Sequence, residues 1–189
     1  MKCPFNIFFF MLFAQVSLAQ IGTNTVRISG SYLALGDASK YNNFYGGHLG
    51  LETAISKNAT LGINAGYYKG TTSEGKITIE TELLNFSPEF KYYFGGLFEN
   101  VYLGIAAPSL NKIRALSVSN PNFFLLKPKA NILGISASIG AVFADNKHNY
   151  AALSVSFGRF KERNTTEKMP INQFSASIIL GYKWTENKL

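Results

Sequence analysis

Beyond Gln20, hydrophobic residues recur at every second position instead of every third or fourth. In "FSASIILGYKW", residues 174–184, Phe174, Ala176, Ile178, Leu180, Tyr182 and Trp184 share one parity, whereas Ser175, Ser177, Gly181 and Lys183 share the other. Period two belongs to an extended strand with two unlike faces. The same texture sets Val26, Ile28, Tyr32 and Ala34 against Arg27, Ser29 and Ser31, and then Leu49, Leu51 and Ile55 against His48, Gly50 and Glu52. It continues with Leu61, Ile63, Ala65 and Tyr67 against Gly62, Asn64, Gly66 and Tyr68, and with Leu84, Phe86, Phe90, Tyr92 and Phe94 against Asn85, Ser87, Glu89, Lys91 and Tyr93. Shorter runs from Val101, "ILGISASIGAVF" (132–143) and the stretch around Leu153, Val155 and Phe157 bring the prediction to eight strands. Each is about ten residues long, the length of a tilted membrane-crossing β-strand.

The connections alternate as well. "SKNA" (56–59), "GGLFEN" (95–100) and "ADNKH" (144–148) are short turn sequences, whereas those after strands one, three, five and seven are longer or more polar, with the longest at Pro108–Asn131. Short turns on one side and long loops on the other are the rhythm of outer-membrane barrels. An even number of strands returns both termini to the same side.

The polar face decides which medium the apolar face meets. On a soluble sandwich that face is rich in long charged side chains, whereas here it is mostly Gly, Ser, Asn and Ala. Small residues suit a narrow lumen, and an eight-stranded barrel is just wide enough for side chains to fill it. The prediction is an all-β protein, an eight-stranded antiparallel up-and-down transmembrane β-barrel with its apolar face turned to lipid. Tyr92, Phe94, Phe143, Tyr182 and Trp184 then fall at one level as an interfacial aromatic girdle.

The N-terminus fits export. Residues 1–19 carry Lys2, an apolar run from Ile7 to Ala14, and Ser17 and Ala19 before Gln20, the layout of a signal peptide. The barrel domain is therefore assigned to residues 20–189. Removing the leader takes away the single cysteine, Cys3, and one positive charge, so the net charge goes from +7 to +6 (7 − 1). A chain without disulfides must be held by a core or by barrel closure.

In this pattern the mature chain resembles the small eight-stranded outer-membrane barrels of the OmpA/OmpX/OmpW type. Within that group, "LLNFSPEFKYYFGGLFENVYLG" (Leu83–Gly104) is similar to a hairpin of an uncharacterised family of bacterial outer-membrane barrels common in Bacteroidetes. The resemblance implies a bacterial outer-membrane location with lipid and lipopolysaccharide as surroundings. The chain departs from such barrels in the residues Thr185–Leu189 that follow Trp184.

Three groups of residues can carry function. Arg27, Glu52, Glu89, Lys91 and Lys183 form an expected lumen charge cluster; charges of both signs at one depth must pair, because an unpaired charge in a confined interior is costly. Lys112, Arg114, Lys127 and Lys129 surround "NFFLL" (122–126), so that these cations with Phe123 and Phe124 form an expected extracellular contact surface for lipopolysaccharide phosphates, an acidic polymer or a protein. Glu80 and Glu82 are expected above the membrane. Neither histidine has a partner visible from spacing: His148 belongs to a turn and His48 to a glycine-rich strand, so no catalytic constellation is expected. No cofactor fingerprint or metal-ligand spacing is present, and scattered lysines on an exported chain argue against nucleic acid. The function expected is structural or adhesive through extracellular loops, with a narrow porin-like channel or a secreted lipocalin-like carrier as alternatives.

Overall fold

The computed structural model describes residues 23–36, 41–74, 77–94, 100–118, 129–146, 148–162 and 170–185. Eight strands account for nearly all of them: β1 (Thr23–Gly36), β2 (Tyr41–Ala54), β3 (Ala59–Glu74), β4 (Ile77–Tyr93), β5 (Val101–Val118), β6 (Lys129–Asp145), β7 (Asn149–Glu162) and β8 (Pro170–Thr185). Each pairs antiparallel with its sequence neighbour, and β8 closes the barrel on β1. Closure removes both sheet edges, the arrangement required where no water satisfies the backbone.

Side-chain parity sorts as the alternation predicts. Ile28, Leu49, Leu51, Ile135, Leu153, Phe157, Ile178 and Leu180 lie on the outer wall, each more than half exposed. Arg27, Glu52, Lys91, Asn64 and Asn111 are buried within. This inside-out distribution corrects the lipocalin-like alternative, since a carrier would turn its apolar face inward. Such a wall requires an apolar medium around it. Among the described residues no helix is long and apolar enough to cross a membrane.

Three differences from the sequence reading stand out. The strands run to 14–18 residues instead of about ten, longer than the about 9–11 residues that span a bilayer. The supposed connection 108–131 is largely strand, because β5 reaches Val118 and β6 begins at Lys129. The polar connection after strand three, residues 70–75, also shrinks: Thr71, Thr72 and Ser73 pair with Glu80, Ile79 and Thr78, leaving only residues 75–76 between β3 and β4. β-Branched threonines prefer the pleated ladder to an open loop.

One irregularity alters the parity within β5. The register against β4 and β6 shifts between Ala106 and Ser109, so that Tyr102, Gly104 and Ala106 point inward before it and Ser109, Asn111 and Ile113 after it. An unpaired pair of residues, Ala107 and Pro108, bulges outward there.

Candidate functional site

The lumen is filled in layers. At the end bearing the termini, a cavity of about 280 Å³ opens between Thr25, Glu52, Lys57, Tyr93, Asp145 and Lys183. Above it Tyr93, Tyr102 and Tyr150 crowd the interior with Ala152 and Ile179. These rings fit because glycines face them: a Cβ on Gly140 would stand 2.2 Å from the Tyr102 ring, and one on Gly181 1.9 Å from that of Tyr150.

The charge cluster lies beside the tyrosines. Arg27 spans Gly50, where a Cβ would come within 2.5 Å of its Nε, and it donates from Nη1 to Glu52 at 2.8 Å and from Nη2 to Asn64 at 2.7 Å and to Glu89. Lys91 Nζ donates to Glu52 at 2.9 Å, lies 3.9 Å from Glu89, and sits 4.7 Å from the centre of the Tyr102 ring. Glu52 also accepts from Thr60 Oγ1 at 2.5 Å and Tyr93 O–H at 3.2 Å, while Asn64 donates to Glu89 at 3.1 Å. Two cations and two carboxylates thus neutralise one another in a near-dry interior. The sequence placed Lys183 with them; instead it forms an ion pair with Asp145 at the rim and leans over Tyr150 at 5.5 Å. Lys183 follows the cluster by one inward step of β8, as Arg27 pairs with Gly181 and Thr25 with Lys183. A step of about 7 Å brings it within reach of Asp145.

A hydroxyl-rich layer comes next. A cavity of about 80 Å³ lies between His48, Asn85 and inward serines of β4–β8. Here the expectation that His48 has no partner is corrected: Ser29, its register partner on β1, places Oγ 2.8 Å from Nδ1, and Tyr68 O–H lies 3.4 Å from the same nitrogen. Spacing could not show this because residues 19 apart in sequence meet only through the β1–β2 register. The contact is a Ser–His pair, and among the described residues no carboxylate is hydrogen-bonded to the imidazole as the third member that would orient a catalytic base.

The far end is capped. Leu33, Leu35, Phe44, Tyr68, Leu83, Ile132 and Phe160 form one apolar cluster across the lumen, flanked by Ile113 and Ile171. Leu83 and Phe160 are fully buried. No ion crosses such a layer without losing its hydration.

The remaining residues singled out in sequence lie on or beyond the outer wall. Tyr92, Phe143, Tyr182 and Trp184 are exposed there, with Phe94 against Tyr92 edge to face. Lys112 and Arg114 are corrected from loop to strand, both pointing outward on β5. Arg114 pairs with Glu82 at 2.5 Å, which thereby lies on the outer wall as well, and Glu80 is exposed above it. Lys129 begins β6, while Phe123, Phe124 and Lys127 lie outside the described residues. Among the described residues no group of His, Cys, Asp and Glu is arranged to hold a metal.

A closed eight-stranded barrel, apolar without and polar within, is the architecture of the small outer-membrane β-barrel proteins of Gram-negative bacteria, and solved structures share it. Neisserial surface protein A (NspA) aligns with a TM-score of 0.67 at 13% identity, covering 85% of this chain and 97% of that one. Ail, the attachment invasion locus protein of Yersinia pestis, aligns at 0.57 and 12%, covering 86% and 99%. The outer membrane protein OprG of Pseudomonas aeruginosa aligns at 0.55 and 12%, covering 86% and 96%. At such identities the likeness concerns the fold. A comparison with curated proteins finds no match. The chain belongs to the family described as "Protein of unknown function (DUF3575)", whose model matches residues 7–180.

Proposed function

We propose that this protein is exported by a signal peptide at residues 1–19, inserts in the outer membrane with both termini periplasmic, and serves as a closed platform that acts through its outer loops. The observation that carries the reading is the double seal of the lumen: a neutralised charge cluster below and an apolar cap above. A pore needs a continuous polar path, and the cap interrupts it. Contact with the outside then falls to the connections at the distal end, above all residues 119–128, with Phe123, Phe124 and Lys127 and their basic flanks Lys112, Arg114 and Lys129. Ail, of the same fold, has been crystallised with the heparin analogue sucrose octasulfate. That precedent supports a polyanionic ligand or an adhesive partner for a basic loop.

Two measurements test the reading. Protease shaving of intact cells should cut within residues 112–129 and leave the barrel protected, while planar bilayers containing the purified protein should show no conductance above background. Protection of 112–129, or stable unitary currents, would overturn it in favour of inverted topology or of the narrow-channel alternative.

A further inference from the structure

The cavity of about 280 Å³ at the end bearing the termini has no part in sealing the lumen. Glu52 forms its floor, and that carboxylate has no acceptor position left for a ligand. An ionised carboxylate accepts about four hydrogen bonds, and Glu52 receives Thr60 and Tyr93 on Oε1 and Arg27 and Lys91 on Oε2. Its charge is balanced as well, since Arg27 and Lys91 offset Glu52 and Glu89. The charges left to the lining are Lys57 and Lys183 against Asp145, one net positive charge (2 − 1). Asp145 already faces Lys183. Lys57 stands in the β2–β3 turn and Lys183 near the end of β8, so two ammonium groups border one mouth. An occupant with a single negative charge restores neutrality there.

The rest of the lining suits a sugar. Tyr93 comes from β4 and Tyr150 from β7, well apart in the closed strand order, so aromatic rings border the cavity from different sides. The C–H face of a pyranose ring is apolar and lies against such rings, while its hydroxyls exchange hydrogen bonds with those of Thr25, Thr60 and Tyr93. Tyr150 adds an unmet donor. It is 8% exposed, and among the described residues its hydroxyl has no hydrogen-bond partner, whereas buried hydroxyls are as a rule satisfied. The size agrees too: the cavity of about 280 Å³ equals the liquid share of roughly nine waters at about 30 Å³ each, room for one sugar ring with its carboxylate.

We propose that this cavity binds one acidic sugar residue, its carboxylate between Lys57 and Lys183, its ring between Tyr93 and Tyr150, and one of its hydroxyls accepting from Tyr150. The chemistry is that of a free sugar acid or of a carboxylated sugar at the end of a cell-wall glycan. Access from the periplasm rests on the topology proposed above. Binding itself is measured in detergent, where orientation has no influence, so its failure is separable from a failure of topology, which shaving tests.

The experiment is saturation-transfer NMR titration of the full chain in detergent micelles with glucuronate, N-acetylmuramate, glucose and acetate. A ligand of this size should bind with a dissociation constant on the order of 1 mM. Both sugar acids should bind; a preference for N-acetylmuramate marks a wall glycan as the source, and a preference for glucuronate marks a free sugar acid. Glucose, without the carboxylate, and acetate, without the ring, should each bind about tenfold more weakly or not at all. Lys183→Gln and Lys57→Gln should each weaken glucuronate by about tenfold, the worth of a charge-assisted hydrogen bond, and Tyr150→Phe, which keeps the ring, by about fivefold. Lys161→Gln, at the far end of β7, should bind as the wild type does. Heat-modifiable gel migration checks folding, and Tyr150→Phe, which loses one hydroxyl only, keeps the test open if a lysine variant fails to fold. No saturable binding of either sugar acid, equal binding of glucose or acetate, or wild-type affinity in the Lys183 and Tyr150 variants would each overturn the proposal.

Discussion

Glu52 is the acceptor on which the lumen cluster depends, and its replacement by alanine is the sharpest probe of the interior. The carboxylate receives Arg27 at 2.8 Å, Lys91 at 2.9 Å, Thr60 at 2.5 Å and Tyr93 at 3.2 Å, and the residue is 6% exposed. With it gone, two cations share Glu89 alone, leaving one uncompensated positive charge among side chains that are 2% exposed. Removing one partner of a buried ion pair costs about 3–5 kcal/mol. Urea titration of folding into lipid vesicles, read by heat-modifiable migration, should show that loss as a lower unfolding midpoint. Glu52→Gln keeps the shape and accepts hydrogen bonds without the charge, so it should fall between wild type and alanine. Arg27→Met combined with Glu52→Leu, which removes one charge of each sign, should recover much of the loss, as apolar replacement of buried ion networks does. A loss below about 1 kcal/mol for Glu52→Ala would refute the reasoning, for that is the worth of a solvated surface pair.

Four further outcomes follow from the layers. Lys183→Gln breaks the rim pair with Asp145 and should cost under about 1 kcal/mol in the same titration, because that pair is half in solvent. Gly181→Val drives a branched side chain into the Tyr150 ring and should lower stability by about 1–3 kcal/mol or prevent closure, seen as loss of the fast-migrating folded band. Leu83→Ala empties the centre of the cap and should cost about 2–5 kcal/mol by urea titration. Bilayers should stay silent with Leu83→Ala, since the charge cluster still blocks the lumen; currents in that variant alone would mean that the cap is the sole barrier.

Much of the fold could be read from alternation. A period of two over eight runs assigns every side chain to wall or lumen, and the contrast of Gly, Ser and Asn with Leu, Ile and Phe tells which is which, because only small side chains share a narrow interior. Parity lost its hold where the ladder slips. The bulge at Ala107–Pro108 hides the continuation of β5, so Lys112 and Arg114 read as loop residues although they stand on the wall. The polar run after Lys69 reads as a turn, although its threonines extend the β3–β4 ladder.

Sequence by itself determined that this chain closes eight amphipathic strands, which charges point inward, and which aromatics face outward, since each follows from position parity along one strand. Tertiary structure decided which of those residues meet. Register joined Arg27 to Glu52, Glu89 and Asn64, gave His48 a serine, sent Lys183 to Asp145, and gathered apolar residues from six strands into one cap. It also brought Lys57 and Lys183 to one cavity. The physical reason is that a strand's pleat is a local property, whereas the stagger between strands is fixed only when all eight close and every inward side chain must find its partner in the same confined volume.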